Sequence, residues 1–331
     1  MRSGWSKDGK GQDSNGKPPE IQDNFARRNA LNPLQLATRL ADNAPMNDQS
    51  RPVLDLEGWV AYFSAANIPV LRHTEQQLAA LRDKAHKANA RAISSVILQD
   101  PLMTLRVLAY IEAKRSKTRL TDITTIERSL MMIGMEPFFN DFQNLPLVED
   151  HLKGHPRALL GLLKVIGRAR KATRWAREWA IYRHDLDVDE ISVATLLYDF
   201  AEILMWCFAP GLALQVADRQ KADSTLRSVV VQTEVFGVPL YQIKEALAQS
   251  WQLPQLLMTL MDPRNAEHPR VRNVKLAVDL ARHSANGWND AALPDDYKAI
   301  EELLHMSHET LMHRLGLDLP DALPDSTETN R

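Results

Sequence analysis

The chain has 331 residues, of which 44% are apolar and 25% charged, and its net charge is −2 at neutral pH. That length suits one large domain or two ordinary ones, and the near-neutral balance excludes a global field that would drive the protein onto nucleic acid or membrane. The single cysteine, Cys207, excludes an intrachain disulfide and a multi-cysteine zinc site, and it fits a reducing cytosol.

Residues 1–57 are rich in Gly, Asn, Asp, Gln, Lys and Pro, with few aromatics and with acids balancing bases. Such a segment buries too little apolar surface to offset its chain entropy, so its composition predicts a disordered extension. A short helix over 32–43 is expected to form only on contact with a partner. The first residues lack the apolar stretch of a secretory signal. Gly4 to Gly11 approach a phosphate-binding loop, but Gly11 stands where a hydroxyl is needed and no strand precedes it. No uncharged apolar run reaches the ~18 residues of a membrane span, because Asp199, Glu202 and Pro210 interrupt the longest candidate. The expectation is a soluble, cytoplasmic chain.

Order is predicted from about Trp59. Thr74 and Gln77 read as a capping box, followed by apolar residues at helical spacing to about Gln99. Asp100-Pro101 restarts the chain, with Asp as N-cap and Pro in the first turn, and Leu102, Leu105, Val107, Leu108 and Ile111 follow. A basic segment, 113–119, leads to a helix over 123–133 that Gly134 stops. After a loop over 136–156 come a long amphipathic helix at 157–182, a helix at 190–207, and shorter ones at 211–219, 223–235, 239–250 and 254–261. Two more are predicted at 268–285 and 295–315, then a polar tail from Pro320. Strand signals are nearly absent, so the fold class is all-α.

The stretch TLLYDFAEILMWC, residues 195–207, places Asp199 and Glu202 three apart on one face of an apolar helix. A buried carboxylate without a partner is costly, so the pair points to a metal, an acid–base site or a cationic neighbour. Asp185, Asp187 and Asp189 begin like a calcium loop, but Glu190 and Leu196 stand where the turn glycine and the bidentate ligand belong. His151 with His155, and His305 with His308, have ligand spacing but no supporting context. The long helix carries Arg168, Arg170, Lys171, Arg174 and Arg177, a basic stripe suited to a phosphorylated ligand or an acidic partner. Trp175 and Trp179 fall on a different face of this helix and are expected in the core, so the arginines have no aromatic platform among them and nucleic acid is the less favoured ligand.

Ile68-Pro69, the run Ile97 to Thr104, Leu105 to Leu108 and the helix ending at Gly134 together resemble the first half of the HDOD family. Leu196-Leu197-Tyr198-Asp199, Glu234 to Gly237 and Trp251-Gln252-Leu253-Pro254 resemble its second half, and the resemblance spans roughly 65–285. It implies a multi-helix bundle related to the metal-dependent HD phosphohydrolases. The implied organisation is a helical N-terminal subdomain over 58–145, an HD-like subdomain over 146–317 and a flexible tail over 318–331. The His–Asp doublet of those enzymes would fall at Tyr198 and Asp199, with Tyr198 in place of the histidine. Leu240 and Met261-Asp262 stand at two further positions where many members carry histidine. Tyr110-Ile111-Glu112 also departs from the family's usual Asn-Ser.

The resemblance therefore implies a catalytically silent, bacterial signalling or regulatory module that binds protein partners, without metal or other cofactor. Two alternatives stand beside it. One is binding of a phosphorylated ligand or nucleic acid along Arg168–Arg177. The other is a divergent phosphohydrolase using Asp199, Glu202 and Asp262 as oxygen ligands for Mg²⁺ or Mn²⁺.

Overall fold

Apolar residues at helical spacing, broken by caps and prolines, yield a chain of helices in the computed structural model, which describes residues 54–83, 89–114, 124–223 and 225–317. The expected helix at 32–43, most of the basic segment 113–119 and the tail from 318 lie outside the described residues. The first four helices are α1 (Leu56–Ala65), α2 (Arg72–Asp83), α3 (Ala90–Ile97) and α4 (Pro101–Lys114). Next come α5 (Ile126–Ile133), α6 (Met135–Asp141), α7 (Val148–His151) and α8 (Pro156–Tyr182). The chain continues through α9 (Val188–Leu196), α10 (Phe200–Phe208), α11 (Pro210–Ala222), α12 (Ser228–Phe236), α13 (Leu240–Ser250) and α14 (Gln255–Leu260). A 3-10 turn at Pro263–Asn265 precedes α15 (Pro269–His283), α16 (Leu293–Leu304) and α17 (His308–Leu315). Among the described residues the only extended pairing is a bridge between Val70 and Leu147. The all-α expectation holds.

Several boundaries differ from the sequence reading, each for a local reason. The extension expected to be disordered through 57 is already helical at Leu56, because Asp55 caps α1 by accepting from the Gly58 N–H at 2.8 Å. α2 begins at Arg72, two residues before the expected cap. Its first N–H groups are met from elsewhere: the Leu71 N–H donates to Asp100 at 2.8 Å and the Arg72 N–H to Glu149 at 3.0 Å. The helix predicted to run on to Gln99 is broken at Asn89, whose backbone is extended and whose side chain caps α3 by accepting from the Ala92 N–H at 2.8 Å. The supposed loop over 136–156 contains α6 and α7. Gly134, at φ 85°, both ends α5 and opens α6, and Phe138 anchors α6 in the core. The single helix expected over 295–315 breaks at His305, which takes a left-handed φ of 51°, and Ser307 caps α17.

The helix expected over 190–207 also divides. α9 ends at Leu196, the turn Leu197-Tyr198-Asp199 intervenes, and α10 starts at Phe200 with Asp199 as its N-cap residue. Taken together, Val188–Phe208 is apolar and long enough to cross a membrane by composition alone, yet most of it is buried inside the protein, as in a core helix pair. Asp199 thus sits at a break in the most apolar part of the fold.

One apolar core runs from Trp59 to Met312 and passes without interruption across residue 145. α1 is tied into it by polar anchors as well: Trp59 Nε1 donates to the Phe236 carbonyl at 3.0 Å and the Tyr62 hydroxyl to the Phe208 carbonyl at 3.1 Å. The long α8 is the central element, packed against α9, α10, α11 and α15. Where α8 meets α10, a Cβ built on Gly161 would lie 2.4 Å from the Trp206 ring, so only glycine permits this approach. Gly161→Ala is expected to destabilise the protein by about 1–3 kcal/mol through overpacking, although alanine is the better helix former. Urea unfolding checks this, and a stabilised variant would show that the two helices simply slide apart.

Candidate functional site

The carboxylates singled out in the sequence converge on two arginines. α8 presents Arg168 to the start of α10, and its Nη2 donates to Glu202 Oε2 at 2.9 Å, with Asp199 Oδ2 at 3.4 Å. From α15, Arg282 Nη2 reaches both oxygens of Asp199, at 3.2 and 3.3 Å. The side chains of Arg168, Asp199 and Glu202 retain only 18%, 17% and 19% of their exposure, so these pairs lie largely out of water, where charge pairing is strong. Burial pushes the Asp199 carboxyl up, but Arg282, Arg168 and Lys244 outweigh it and hold the group below the usual carboxylate range. The same contacts raise both guanidinium pKa values, chiefly through Glu202 for Arg168 and through Asp199 for Arg282.

Tyr198, at the position of the missing histidine, stacks beneath the ammonium of Lys244, which lies 4.2 Å from the ring centroid. Lys244 also donates to the Met261 carbonyl at 3.1 Å. Burial lowers its pKa against the attraction of Asp199, and burial together with Asp279 and Asp199 raises that of the Tyr198 phenol. Asp262 faces the same cavity but is engaged by Arg264, whose Nε donates to both carboxylate oxygens at 2.8 and 3.0 Å. A second arm of Arg264 reaches Glu245 at 2.7 Å. These groups border a cavity of about 1000 Å³, which Tyr241, Gln232 and Met258 also line. One polar atom stands out: Arg168 Nε is buried without a hydrogen-bond partner.

A first-row metal of the HD type requires three or four ligand atoms with free lone pairs, imidazoles among them. Here Tyr198 replaces the imidazole, and Asp199, Glu202 and Asp262 each face a guanidinium. Among the described residues no group of three His, Cys, Asp or Glu side chains is arranged to hold an ion. The donor set does not fit the metal. What it fits is a static charge network in which arginine occupies the place of the cation.

The basic stripe divides between two sides of α8. Arg168 turns to the carboxylates. Arg170 Nε donates to the Gln99 carbonyl, Lys171 Nζ to Ser284 Oγ at 3.2 Å, and Arg177 to Asp189 at 2.7 Å. Lys171 also lies over the rings of Trp175 and Trp288, at 4.7 and 4.8 Å. Arg174 is exposed and makes no such pairing. The aspartates after α8 are each paired with arginine: Asp185 with Arg183, Asp187 with Arg270, and Asp189 with Arg177. His151 Nε2 lies 3.1 Å from the Cys207 carbonyl, and His308 pairs with Glu301 at 2.6 Å, so neither histidine pair forms a two-ligand site.

Arg282 and Lys244 were not found from the sequence. Lys275, Asp279 and Arg282 follow helical spacing beside the buried face of α15, which marked one polar strip, but nothing in that spacing named Asp199 as its target. Lys244 carries no signal at all, since a lone lysine in an amphipathic helix is ordinarily solvated.

Comparison with known proteins bears on the fold. The chain resembles the MmoQ response regulator of Methylococcus capsulatus, with a TM-score of 0.57 and 17% identity over 76% of this chain and 98% of that one. It also resembles a virulence factor of Campylobacter jejuni, with a TM-score of 0.52 and 17% identity over 80% of this chain and 94% of that one. No curated protein sequence matches it. A family profile, that of the HDOD domain, matches residues 68–266 and takes in α2 through the turn before α15. That span includes Arg168, Tyr198, Asp199, Glu202, Lys244 and Asp262, and on it the chain belongs to the HDOD domain family.

Proposed function

We propose that the protein is a bacterial regulatory module of a signalling pathway, acting in the cytoplasm through contacts with other proteins and not through hydrolysis. The observation that carries this reading is the pairing of Asp199 with two guanidiniums, Arg282 and Arg168, at the position of the HD doublet. Two fixed positive charges there oppose a divalent cation by repulsion and already occupy the carboxylate lone pairs. The fold similarity to a protein described as a response regulator agrees with a signalling role.

The reading has a direct test. Purified full-length protein is incubated with Mg²⁺ or Mn²⁺ and assayed for release of phosphate from phosphomono- and phosphodiesters, and its metal content is measured by elemental analysis. The expected result is no turnover and less than stoichiometric metal, together with a specific protein captured from the native lysate. Turnover that requires Mn²⁺ and disappears in Asp199→Asn would reject the proposal in favour of a divergent hydrolase.

A further inference from the structure

A second concavity lies on the opposite side of α8 from the carboxylate cluster. It has a volume of about 760 Å³ and is walled by α3, the start of α5, α8 and the start of α9. Its lining contains five cationic side chains, Arg91, Arg170, Lys171, Arg174 and Arg177, against two carboxylates, Glu127 and Asp189. Arg177 is matched by Asp189, and Arg170 is spent on a backbone carbonyl. Arg91 and Arg174 have no carboxylate or hydrogen-bond partner among the described residues. Burial, and then the neighbouring Arg174, lower the pKa of Lys171. The first turn of α5, at Thr125 to Glu127, adds the partial positive charge of a helix N-terminus.

An independent observation comes from Gly167. It sits in the interior of α8, on the strip that carries Arg170, Lys171 and Arg174, and it lines the groove. A helix-interior glycine costs about 1 kcal/mol relative to alanine, so packing usually explains it, as Trp206 does at Gly161. At Gly167 a Cβ would meet nothing within 4 Å. Gly167 is exposed, and the protein itself offers no packing reason for a missing side chain on this wall of the groove.

We propose that this groove is a binding site for a small phosphorylated ligand, whose phosphate oxygens are taken by Arg91 and Arg174 beside the open wall at Gly167. Guanidinium forks match phosphate oxygens in geometry as well as charge. The hydroxyls of Ser95 and Thr173 already donate to the carbonyls of Ala92 and Ala169, each at 2.8 Å, so the guanidiniums are the donors that the groove turns to a ligand. The volume falls within the range of about 300–1,000 Å³ typical of small-molecule sites. No aromatic residue lines the groove, so it has no platform for stacked bases, and Glu127 and Asp189 at its walls oppose an extended nucleic-acid backbone.

The probe is inorganic pyrophosphate, titrated calorimetrically into the full-length protein. Saturable binding at one site per chain is expected, accompanied by a rise in melting temperature. Arg91→Ala and Arg174→Ala are each expected to weaken binding by about tenfold, the loss of one good charge-assisted contact. Gly167→Leu, which puts the side chain of a good helix former into the open space beside the arginines, is expected to weaken it while preserving the fold. Arg157→Ala, also on α8 but paired with Asp218 and outside the groove, serves as the control and is expected to bind as the parent does. Absence of saturable binding would overturn the proposal. So would equal weakening by Arg157→Ala, or binding of a single-stranded oligonucleotide by a protein that ignores pyrophosphate.

Discussion

Asp100→Ala is expected to destabilise the protein by about 3–5 kcal/mol, a large share of the 5–15 kcal/mol that holds a typical fold. The Asp100 side chain is fully buried and holds two helix starts at once. Oδ1 accepts from the Leu102 and Met103 N–H groups at 2.9 and 3.2 Å, which caps α4, and Oδ2 accepts from the Leu71 N–H at 2.8 Å, ahead of α2. The Thr74 hydroxyl donates to it as well. Alanine leaves these donors without an acceptor in a region closed to water, and each orphaned group costs about 1–3 kcal/mol before relaxation. Asp100→Asn retains an acceptor for α4 but turns an NH₂ toward a donor on the α2 side, so it should fall between the two. Urea unfolding followed by circular dichroism measures both, and an alanine variant within ~1 kcal/mol of the parent would mean that water enters and takes over the caps.

Asp100 also illustrates what the sequence makes legible. Its role as N-cap of α4 was readable, because Asp followed by Pro and an apolar run is a local signal. Its second role, ahead of α2, was not, because Leu71 lies 29 positions away and only the packed fold brings it near. The same division runs through the rest of the chain. Helix periodicity located the long α8, and the apolar pattern correctly put Trp175 and Trp179 in the core. The breaks at Asn89, Asp199 and His305 were missed, since the residues around them continue a helical pattern and tertiary contacts decide where the backbone turns. At the site, the carboxylates Asp199 and Glu202 and the need for a cation were legible from burial logic. The arginine stripe of α8 was legible as well, and one member of it, Arg168, supplies such a cation. That Arg282, 83 positions along, takes the larger share of Asp199 was not, because charge pairing across helices leaves no periodic trace.

Arg282→Met is expected to cost about 2–4 kcal/mol at neutral pH, and the loss should shrink as the solution is acidified. The estimate lies below that for a fully buried pair because the Arg282 side chain is 39% exposed and water can partly replace it, whereas the Asp199 carboxylate, at 17%, has little access to solvent. In the parent protein the folded-state pKa of Asp199 is depressed. A depressed carboxyl pKa contributes stability that is present above the unfolded value of about 3.9 and is lost as pH falls through the folded value. Methionine removes the larger of the two guanidinium interactions and leaves burial opposed by Arg168 and Lys244 alone, so the folded pKa rises in the variant. The parent and the variant should therefore differ most near pH 7, and the gap should narrow as pH falls through the parent's depressed value, to the part of the loss that does not depend on the Asp199 charge. Asp199→Asn provides the second edge of the cycle: with the charge removed, Arg282→Met should cost about half as much, a coupling of about 1–2 kcal/mol. A loss independent of pH and undiminished by Asp199→Asn would assign the role of Arg282 to packing of its methylenes against α10, and the picture of arginine standing where a metal would stand would fall with it.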